Sequence, residues 1–251
     1  MIRWLFIGVF LWSALGVEVT WGQVQEKDPG LYALAAMLKS RDRAVRIRAA
    51  QGLGRVGGQE SVKILSLGLQ DRDEAVRYEV VKALGSIGGK SSVGVLAFAL
   101  KDRSESVRIR TVEALKEAGT TESVPTLEKA LQDKSGAVRL QTVRMLRKIG
   151  GDDSVPILGR AMLTDKSEAV RAEAAEYLGK VGVNNEMSIP LLAEALKDKS
   201  ETVRVKAVQS MGMIKDRRNI PALQQALKDR SKTVQVKATE VLSRVLAKQY
   251  E

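Results

Sequence analysis

The sequence predicts an all-α protein built as a solenoid of about seven two-helix repeats, and three observations lead to this fold class. A Val-Arg dipeptide returns at successive spacings of 31, 31, 31, 32, 33 and 31 residues, counting a degenerate last copy. Apolar residues recur at helical spacing around each copy. Proline and glycine punctuate the segments between them. The copies are Val45-Arg46, Val76-Arg77, Val107-Arg108, Val138-Arg139, Val170-Arg171, Val203-Arg204 and Val234-Gln235.

The N-terminus is typical of an export signal. Arg3 precedes an apolar run over residues 4–17, which ends before Glu18. A helix of that length spans roughly 21 Å, less than the ~30 Å of a bilayer core. Small residues at Ala14 and Gly16 fit a signal-peptidase site. The run therefore favours a cleaved signal over a membrane-spanning helix.

These features give three segments. We expect a signal peptide at residues 1–22, with cleavage after Gly16 or Gly22, and the alternative is an uncleaved anchor. A linker follows at residues 23–30, and the repeat domain occupies residues 31–251. The expected location is outside the cytoplasm, periplasmic or extracellular, or membrane-anchored if the signal is retained.

Each repeat is predicted to contain two helices, as the fourth copy at residues 122–151 illustrates. Pro125 sits in a first turn, where no amide donor is needed. A second helix begins near Ala137 and carries Val138, Thr142 and Leu146 on one stripe. Glycine ends it, because glycine enters the left-handed cap without strain. Prolines recur at Pro125, Pro156, Pro190 and Pro221, and glycine ends at Gly57-Gly58, Gly88-Gly89, Gly119, Gly150-Gly151 and Gly182.

With proline in the first helix, aspartate in the turn and Val-Arg in the second helix, the unit resembles the HEAT repeat. It is similar to the short form of the phycobilisome-lyase type, and the resemblance covers about residues 31–247. It implies a right-handed α-solenoid. This fold hosts many unrelated binding roles. No residue pattern here supports carrying over lyase chemistry.

The repeated Asp and Arg are predicted to be architectural. Repeat one has Ser40 at the aspartate position, and repeat seven has Gln235 at the arginine position. Every charge finds a partner if the arginine of one repeat reaches the aspartate of the next. The family resemblance likewise implies an inter-repeat ladder. The predicted pairs are Arg46–Asp71, Arg77–Asp102, Arg108–Asp133, Arg139–Asp165, Arg171–Asp198 and Arg204–Asp229.

Composition excludes several kinds of chemistry. The chain has no Cys and no His, which removes disulfides, the commonest zinc ligands and Ser/His/Asp or Cys/His catalysis. A lysine or carboxylate mechanism stays possible, but nothing distinguishes one residue. The stretch at residues 52–57 matches GxGxxG, yet it ends a helix and does not follow a strand. We therefore expect no enzyme activity, no catalytic residue, no cofactor and no metal.

The second helices are expected to line a concave face that binds a partner. An apolar column on it could form an exposed ridge, although packing between adjacent helices is favoured. This column is Ile47, Tyr78, Ile109, Leu140, Ala172, Val205 and Val236. Regular packing and sharp charge changes favour the middle repeats as the binding site. The candidate partner-binding residues are Arg110, Glu113, Arg144, Lys148, Glu173, Glu176 and Tyr177.

The sequence favours a non-catalytic scaffold or adaptor for a protein or peptide, in the cell envelope or outside the cell. The net charge of +11 favours anionic partners, but the expected face shows no dense basic track, which makes nucleic acid the weaker hypothesis. Two alternatives stay open: a nucleic-acid-binding or membrane-anchored HEAT protein, and a lyase or lyase chaperone for a tetrapyrrole protein. Membrane contact is expected only if the N-terminal segment is uncleaved.

Overall fold

The computed structural model of the chain describes residues 28–119, 122–149, 151–181 and 185–247. These residues form fourteen α-helices and one short 3-10 helix. The predicted signal peptide at residues 1–22 and most of the predicted linker lie outside the described residues. None of the described helices is both long enough and apolar enough to cross a bilayer.

The chain divides into two compact units at Gly119. In unit 1, which ends at that residue, the first helix of each repeat alternates with the second helix. The second helices pack on one another in sequence, and each first helix packs on the second helix of its own repeat. The helices are α1 (Pro29–Met37), α2 (Arg43–Val56), α3 (Gly58–Gly68), α4 (Glu74–Ile87), α5 (Gly89–Ala99) and α6 (Glu105–Glu117).

Unit 2 repeats the same pairing in four repeats. The 3-10 helix Arg217–Asn219 precedes the last first helix. The helices are α7 (Ser123–Ala130), α8 (Gly136–Ile149), α9 (Ser154–Thr164), α10 (Glu168–Val181), α11 (Ser188–Ala195), α12 (Glu201–Ile214), α13 (Ile220–Ala226) and α14 (Lys232–Ala247). Helices packed in sequential pairs confirm the predicted α-solenoid of about seven repeats.

The repeats begin slightly earlier than the sequence indicated. Asp28 caps α1 by accepting hydrogen bonds from the backbone N–H groups of Gly30 and Leu31, at 2.8 and 3.2 Å. Pro29 occupies the first turn of this helix, where its missing N–H costs nothing. The last residues of the predicted linker at 23–30 are therefore the cap and first turn of α1.

The core is aliphatic, as the low aromatic content predicts. Leucines such as Leu53, Leu84 and Leu178 are fully buried along the second helices. The GxGxxG match belongs to this packing. A Cβ on Gly54 would lie 2.9 Å from the Cβ of Ala83 on α4, and Gly57 ends α2 with a φ of 72°. Both glycines serve helix packing and helix termination, and neither follows a strand.

Candidate functional site

The ladder arginines are buried along one edge of the second helices. In five pairs, the guanidinium forms two parallel hydrogen bonds with an aspartate of the following repeat, with Nε–Oδ2 distances of 2.6–2.8 Å and Nη2–Oδ1 distances of 2.9–3.0 Å. Bidentate geometry of this kind is both strong and directional. The pairs with these distances are Arg46–Asp71 and Arg77–Asp102 in unit 1, and Arg139–Asp165, Arg171–Asp198 and Arg204–Asp229 in unit 2.

Each ladder group also holds its own repeat together. The Nη1 of Arg77 donates to the carbonyl oxygen of Asp71 at 2.9 Å, and Arg108 makes the same bond to Asp102 at 2.8 Å. The Oδ1 of Asp102 accepts from the N–H of Ser104 at 2.8 Å, and Asp133 accepts from the N–H of Ser135 at 2.7 Å. A ladder residue thus fixes the turn between the two helices as well as the stacking of repeats.

The two replacements in the end repeats, Ser40 and Gln235, keep the local bonds of the turn. Ser40 Oγ accepts from the N–H of Asp42 at 3.1 Å, as a ladder aspartate would. Gln235 Nε2 donates to the carbonyl oxygen of Asp229 at 2.6 Å, as a ladder arginine would. Each replacement preserves the turn without leaving a buried charge unpaired.

Three ladder carboxylates of unit 2, those of Asp165, Asp198 and Asp229, are held ionised. Burial alone would raise the pKa of Asp165, but the hydrogen bonds from Arg139 and from the N–H of Ser167 outweigh it, so the pKa falls below its ordinary value. The same balance lowers the pKa of Asp198 and of Asp229. These side chains are only 7–11% exposed, so they are structural counter-ions with little access for a substrate.

Arg110 does not point to an open face as the sequence analysis expected. It is buried, and its guanidinium lies 2.7 Å from a carboxylate oxygen of Glu117 and 3.2 Å from one of Glu113. Burial there would lower the pKa of Arg110, but these carboxylates raise it above its ordinary value. Helices α4 and α6 approach closely at Gly85, where an added Cβ would lie 3.0 Å from Glu117. The close approach holds Glu117 over the arginine.

Tyr177, another candidate partner-binding residue, is also buried. Only 6% of it is accessible, and its hydroxyl donates to Glu173 at 2.6 Å. The Arg147 guanidinium lies 4.6 Å from its ring centroid, in cation–π geometry. Burial, followed by the bond to Glu173, raises the pKa of Tyr177 to about 12. The ring is part of the packing between α8 and α10.

The other candidate residues reach solvent to differing extents. Arg144 and Lys148 are exposed, while Glu173 and Glu176 are half-buried. Arg144 lies 3.2 Å from Glu173 on the next second helix, and Glu176 accepts from Lys206 at 2.8 Å. The structure therefore brings most of the predicted set in unit 2 into cross-repeat ion pairs and leaves little apolar area among them.

A shallow hollow lies in unit 1, on the apolar column of the second helices. Ile47 of α2 and Tyr78 of α4 line a groove of about 430 Å³. Tyr78 is 36% exposed, so this column is not packed away throughout as the sequence analysis favoured. The charged side chains of Arg43, Asp73 and Glu79 border the groove.

Two features were missed by sequence reasoning. The residue after each ladder position is basic in every repeat and exposed. Its signal was available as a column: Arg41, Arg72, Arg103, Lys134, Lys166, Lys199 and Arg230. The second feature is an exposed phenylalanine, Phe98, which faces outward on a first helix where unit 2 has polar residues. Among the described residues, no His/Cys/Asp/Glu group of three or more has the arrangement of a metal site.

The chain belongs to the HEAT repeats family. The family pattern matches residues 31–100, 93–179 and 159–243, which together span almost all of the described repeats. No curated protein matches the sequence significantly.

Solved structures with the same fold are distant in sequence. The YibA protein of E. coli is 23% identical, with a TM-score of 0.51 over 91% of this chain and 88% of that one. The CpcE–CpcF complex of phycocyanin lyase from Nostoc sp. PCC7120 is 21% identical, with a TM-score of 0.48 over 86% of this chain and 94% of that one. Human deoxyhypusine hydroxylase is 20% identical, with a TM-score of 0.43 and coverage of 90% and 98%. At these identities the likeness extends to the fold alone.

Proposed function

We propose that this HEAT-repeat protein is a non-catalytic scaffold that binds a protein or peptide on its second-helix face. The observation that carries the proposal is the groove of Ile47 and Tyr78. It combines an apolar floor, which rewards desolvation, with a rim of both charge signs, which fixes orientation. HEAT repeats generally use their stacked helices as extended binding surfaces.

The side chains of this groove are suited to a protein partner. Tyrosine offers a large apolar ring and a polar tip at low entropic cost, and is enriched among residues that dominate interfaces. Arg43 lies 3.7 Å from Asp73 across the rim, with most of the arginine side chain exposed. Such an exposed pair is weak, so a partner's own charges can replace it.

The proposal places this scaffold outside the cytoplasm. Its support is the sequence of residues 1–22, with Arg3 before a short apolar run and small residues after it. Intact-mass measurement on protein from the native host tests export with cleavage. A mass that retains Met1 to Gly16 contradicts it and favours the anchored form.

The binding test uses the immobilised full chain and an envelope extract. We expect Tyr78→Ala with Ile47→Ala to lose a specifically retained protein that the wild type keeps, with helicity and melting nearly unchanged. The matched control is Val236→Ala, which occupies the same column and is 65% exposed on α14. Loss in the control alone would move the site to unit 2. If the protein is lost only when Arg144 and Lys148 are both changed to Glu, the binding site would lie in the middle repeats.

A further inference from the structure

A second hollow in unit 1 lies on the first-helix side, away from the second-helix column. Helices α3 and α5 pack side by side, and a trough of about 350 Å³ runs between them. Val62, Val95 and Phe98 line it, and Phe98 is 42% exposed. The accessible ring of Phe98 therefore offers apolar area that a partner can cover.

The trough continues towards the carboxyl ends of the same helices into a hollow of about 580 Å³. Ser66, Val95 and Phe98 line both parts, so they form one groove. The far end is basic, with Arg72, Lys101 and Arg103 at its edge. We call the whole feature the Phe98 groove.

The acidic groups at the basic end are already neutralised. Asp71 is held by Arg46 and Asp102 by Arg77, each through two hydrogen bonds. These ladder pairs cancel their own charges. The remaining cations at the edge therefore give this end of the groove an uncompensated positive charge.

No described carboxylate forms an ion pair with Arg72, Lys101 or Arg103. Two of them instead donate to main-chain carbonyl groups in the inter-helix turn of the preceding repeat. Arg103 Nη2 donates to Arg72 O at 2.7 Å, and Arg72 Nη2 donates to Arg41 O at 3.5 Å. One bond of this kind restrains the guanidinium while its other N–H groups stay available. An arginine restrained in this way loses less entropy when it binds a carboxylate.

Unit 2 has a hollow at the matching place, but it is smaller, about 270 Å³, and is lined by Arg160 and Glu128. The position of Phe98 is occupied in unit 2 by polar side chains. Between α7 and α9, which are the matching helices there, Arg160 and Glu128 close an ion pair at 2.7 Å. The polar residues at this position are Lys129, Arg160, Glu194 and Gln225.

The charge distribution and the length of the groove indicate what kind of segment it binds. Arg72, Lys101 and Arg103 are grouped at one end, while Lys63 along the trough is paired with Glu60 at 2.8 Å. Positive charge without a paired carboxylate is thus confined to one end, which does not suit a uniformly charged polyanion. A helix of eleven residues, such as α3 or α5, is roughly 16 Å long, enough for about five residues of extended chain. We propose that the Phe98 groove binds a partner-protein segment in which a few apolar side chains lie next to a cluster of carboxylates.

Gly94 makes the groove testable without disturbing the core. It lines the trough, and a Cβ added there would meet no atom within 4 Å. Gly94→Phe should fill the groove from inside a helix whose backbone tolerates any side chain. Gly94→Ala is its control, because it makes the same backbone change without filling the space. Phe98→Lys is a second variant, since repeat four already carries Lys129 at this position.

The probe is a fluorescein-labelled peptide amide, Leu-Val-Leu-Gly-Glu-Glu-Glu, read by fluorescence anisotropy against the full chain. Its control replaces the three Glu with Lys. We expect the acidic peptide to bind at least about tenfold more tightly than the basic one, with affinity falling as salt rises. Gly94→Phe and Phe98→Lys should each weaken it about tenfold or more, and Gly94→Ala should not.

The charge requirement has its own matched pair. Arg103→Glu should weaken the acidic peptide by about fivefold or more, whereas Lys166→Glu, at the same turn position in unit 2, should not. Equal binding of both peptides, or unchanged binding to Gly94→Phe, overturns the proposal. A third outcome also overturns the proposal: the acidic peptide does not bind, but anionic phosphatidylglycerol vesicles bind in a way that depends on Arg103. That result would assign the basic end of the groove to a membrane surface.

This outcome is independent of the second-helix proposal. Tyr78→Ala with Ile47→Ala leaves the Phe98 groove intact and should bind the acidic peptide as the wild type does. Loss of peptide binding in that double variant would instead assign the peptide to the second-helix groove and overturn the assignment to Phe98.

Discussion

The two units use the same backbone plan with different surfaces. In unit 1, Tyr32, Tyr78 and Phe98 are each 36–42% exposed. In unit 2 the described aromatic residue, Tyr177, is 6% exposed beneath Arg147 and Glu173. The first helices differ in the same sense, because apolar Leu67 and Phe98 stand where unit 2 has Lys129, Arg160, Glu194 and Gln225.

This difference teaches that the ladder fixes the fold and leaves the outward positions unconstrained. Both units contain bidentate Arg–Asp pairs with nearly equal distances. With stacking secured in this way, unit 2 covers its described aromatic ring with charged side chains, and unit 1 leaves three aromatic rings accessible. The contrast leads to five predictions, from the largest expected effect to the smallest.

Removing one ladder carboxylate should damage either unit by a similar amount. Asp198→Ala strands Arg171, and Asp102→Ala strands Arg77. Breaking a buried pair costs about 3–5 kcal/mol because a charge is left uncompensated. We expect a loss of this size in the free energy of unfolding, measured by urea denaturation. A much smaller loss in one unit would show that the ladder is not the shared element.

Double-mutant cycles set the direction of the ladder. Asp198→Ala should couple with Arg171→Ala by more than about 1 kcal/mol, and should add within about 0.5 kcal/mol with Arg204→Ala. Equal coupling in the two cycles would contradict the cross-repeat pairing.

Exchanging the aromatic residues for alanine should separate packing from exposure. Tyr177→Ala removes a buried ring and should cost about 3 kcal/mol of unfolding free energy. Tyr78→Ala removes an exposed ring and should cost less than about 1 kcal/mol. Thermal unfolding followed by circular dichroism measures both. Similar losses would contradict the difference in burial between the two rings.

Acid should weaken unit 2 through its surface ion pairs. Hydrogen bonds from Lys180 and then Lys206 lower the pKa of Glu176 to about 2. Because the folded pKa is depressed, this contribution is present above the ordinary glutamate pKa and is lost as pH falls from about 4.5 to about 2. Glu176→Gln should lower the unfolding free energy by about 1 kcal/mol at pH 7 and by much less near pH 2. Denaturant titrations of the wild type and the variant at the two pH values measure this. The same difference in unfolding free energy at both pH values would contradict the ion pairing of Glu176.

The smallest effect concerns how second helices end. In unit 1, α2 ends at Gly57 with a φ of 72°, while in unit 2, α12 ends at Lys215 with a φ of 54°. A left-handed conformation costs a non-glycine residue about 1 kcal/mol. Lys215→Gly should therefore stabilise the protein by up to about 1 kcal/mol. Gly57→Ala should destabilise it by about 1 kcal/mol or more, because a φ of 72° with a ψ of −167° is open essentially only to glycine. Melting temperatures that move in the same direction would refute a positive-φ penalty at these helix ends.

The repeat pattern allowed much of the fold to be predicted. Helix order, glycine ends and the ladder pairs all depend on residues that recur at one interval, so a fixed geometry satisfies every copy at once. Ser40 and Gln235 were informative because they break that recurrence in complementary ways.

The surface was harder to predict because exposure depends on neighbours that do not recur. Arg48 and Arg110 occupy the same position in their second helices, yet Arg48 is exposed and Arg110 is buried against Glu117. Tyr177 is covered by Arg147, a contact that no spacing rule contains. Phe98 does have a signal in the sequence, because the equivalent position of every first helix in unit 2 is polar.

Ser40 and Gln235 have a consequence for assembly. A solenoid of identical repeats would present a lone aspartate at one end and a lone arginine at the other, and two copies could then join head to tail without a stopping point. Here the ladder position of repeat one offers a hydroxyl and that of repeat seven offers an amide. A junction between copies would gain no ion pair, so these two substitutions discourage open-ended filaments.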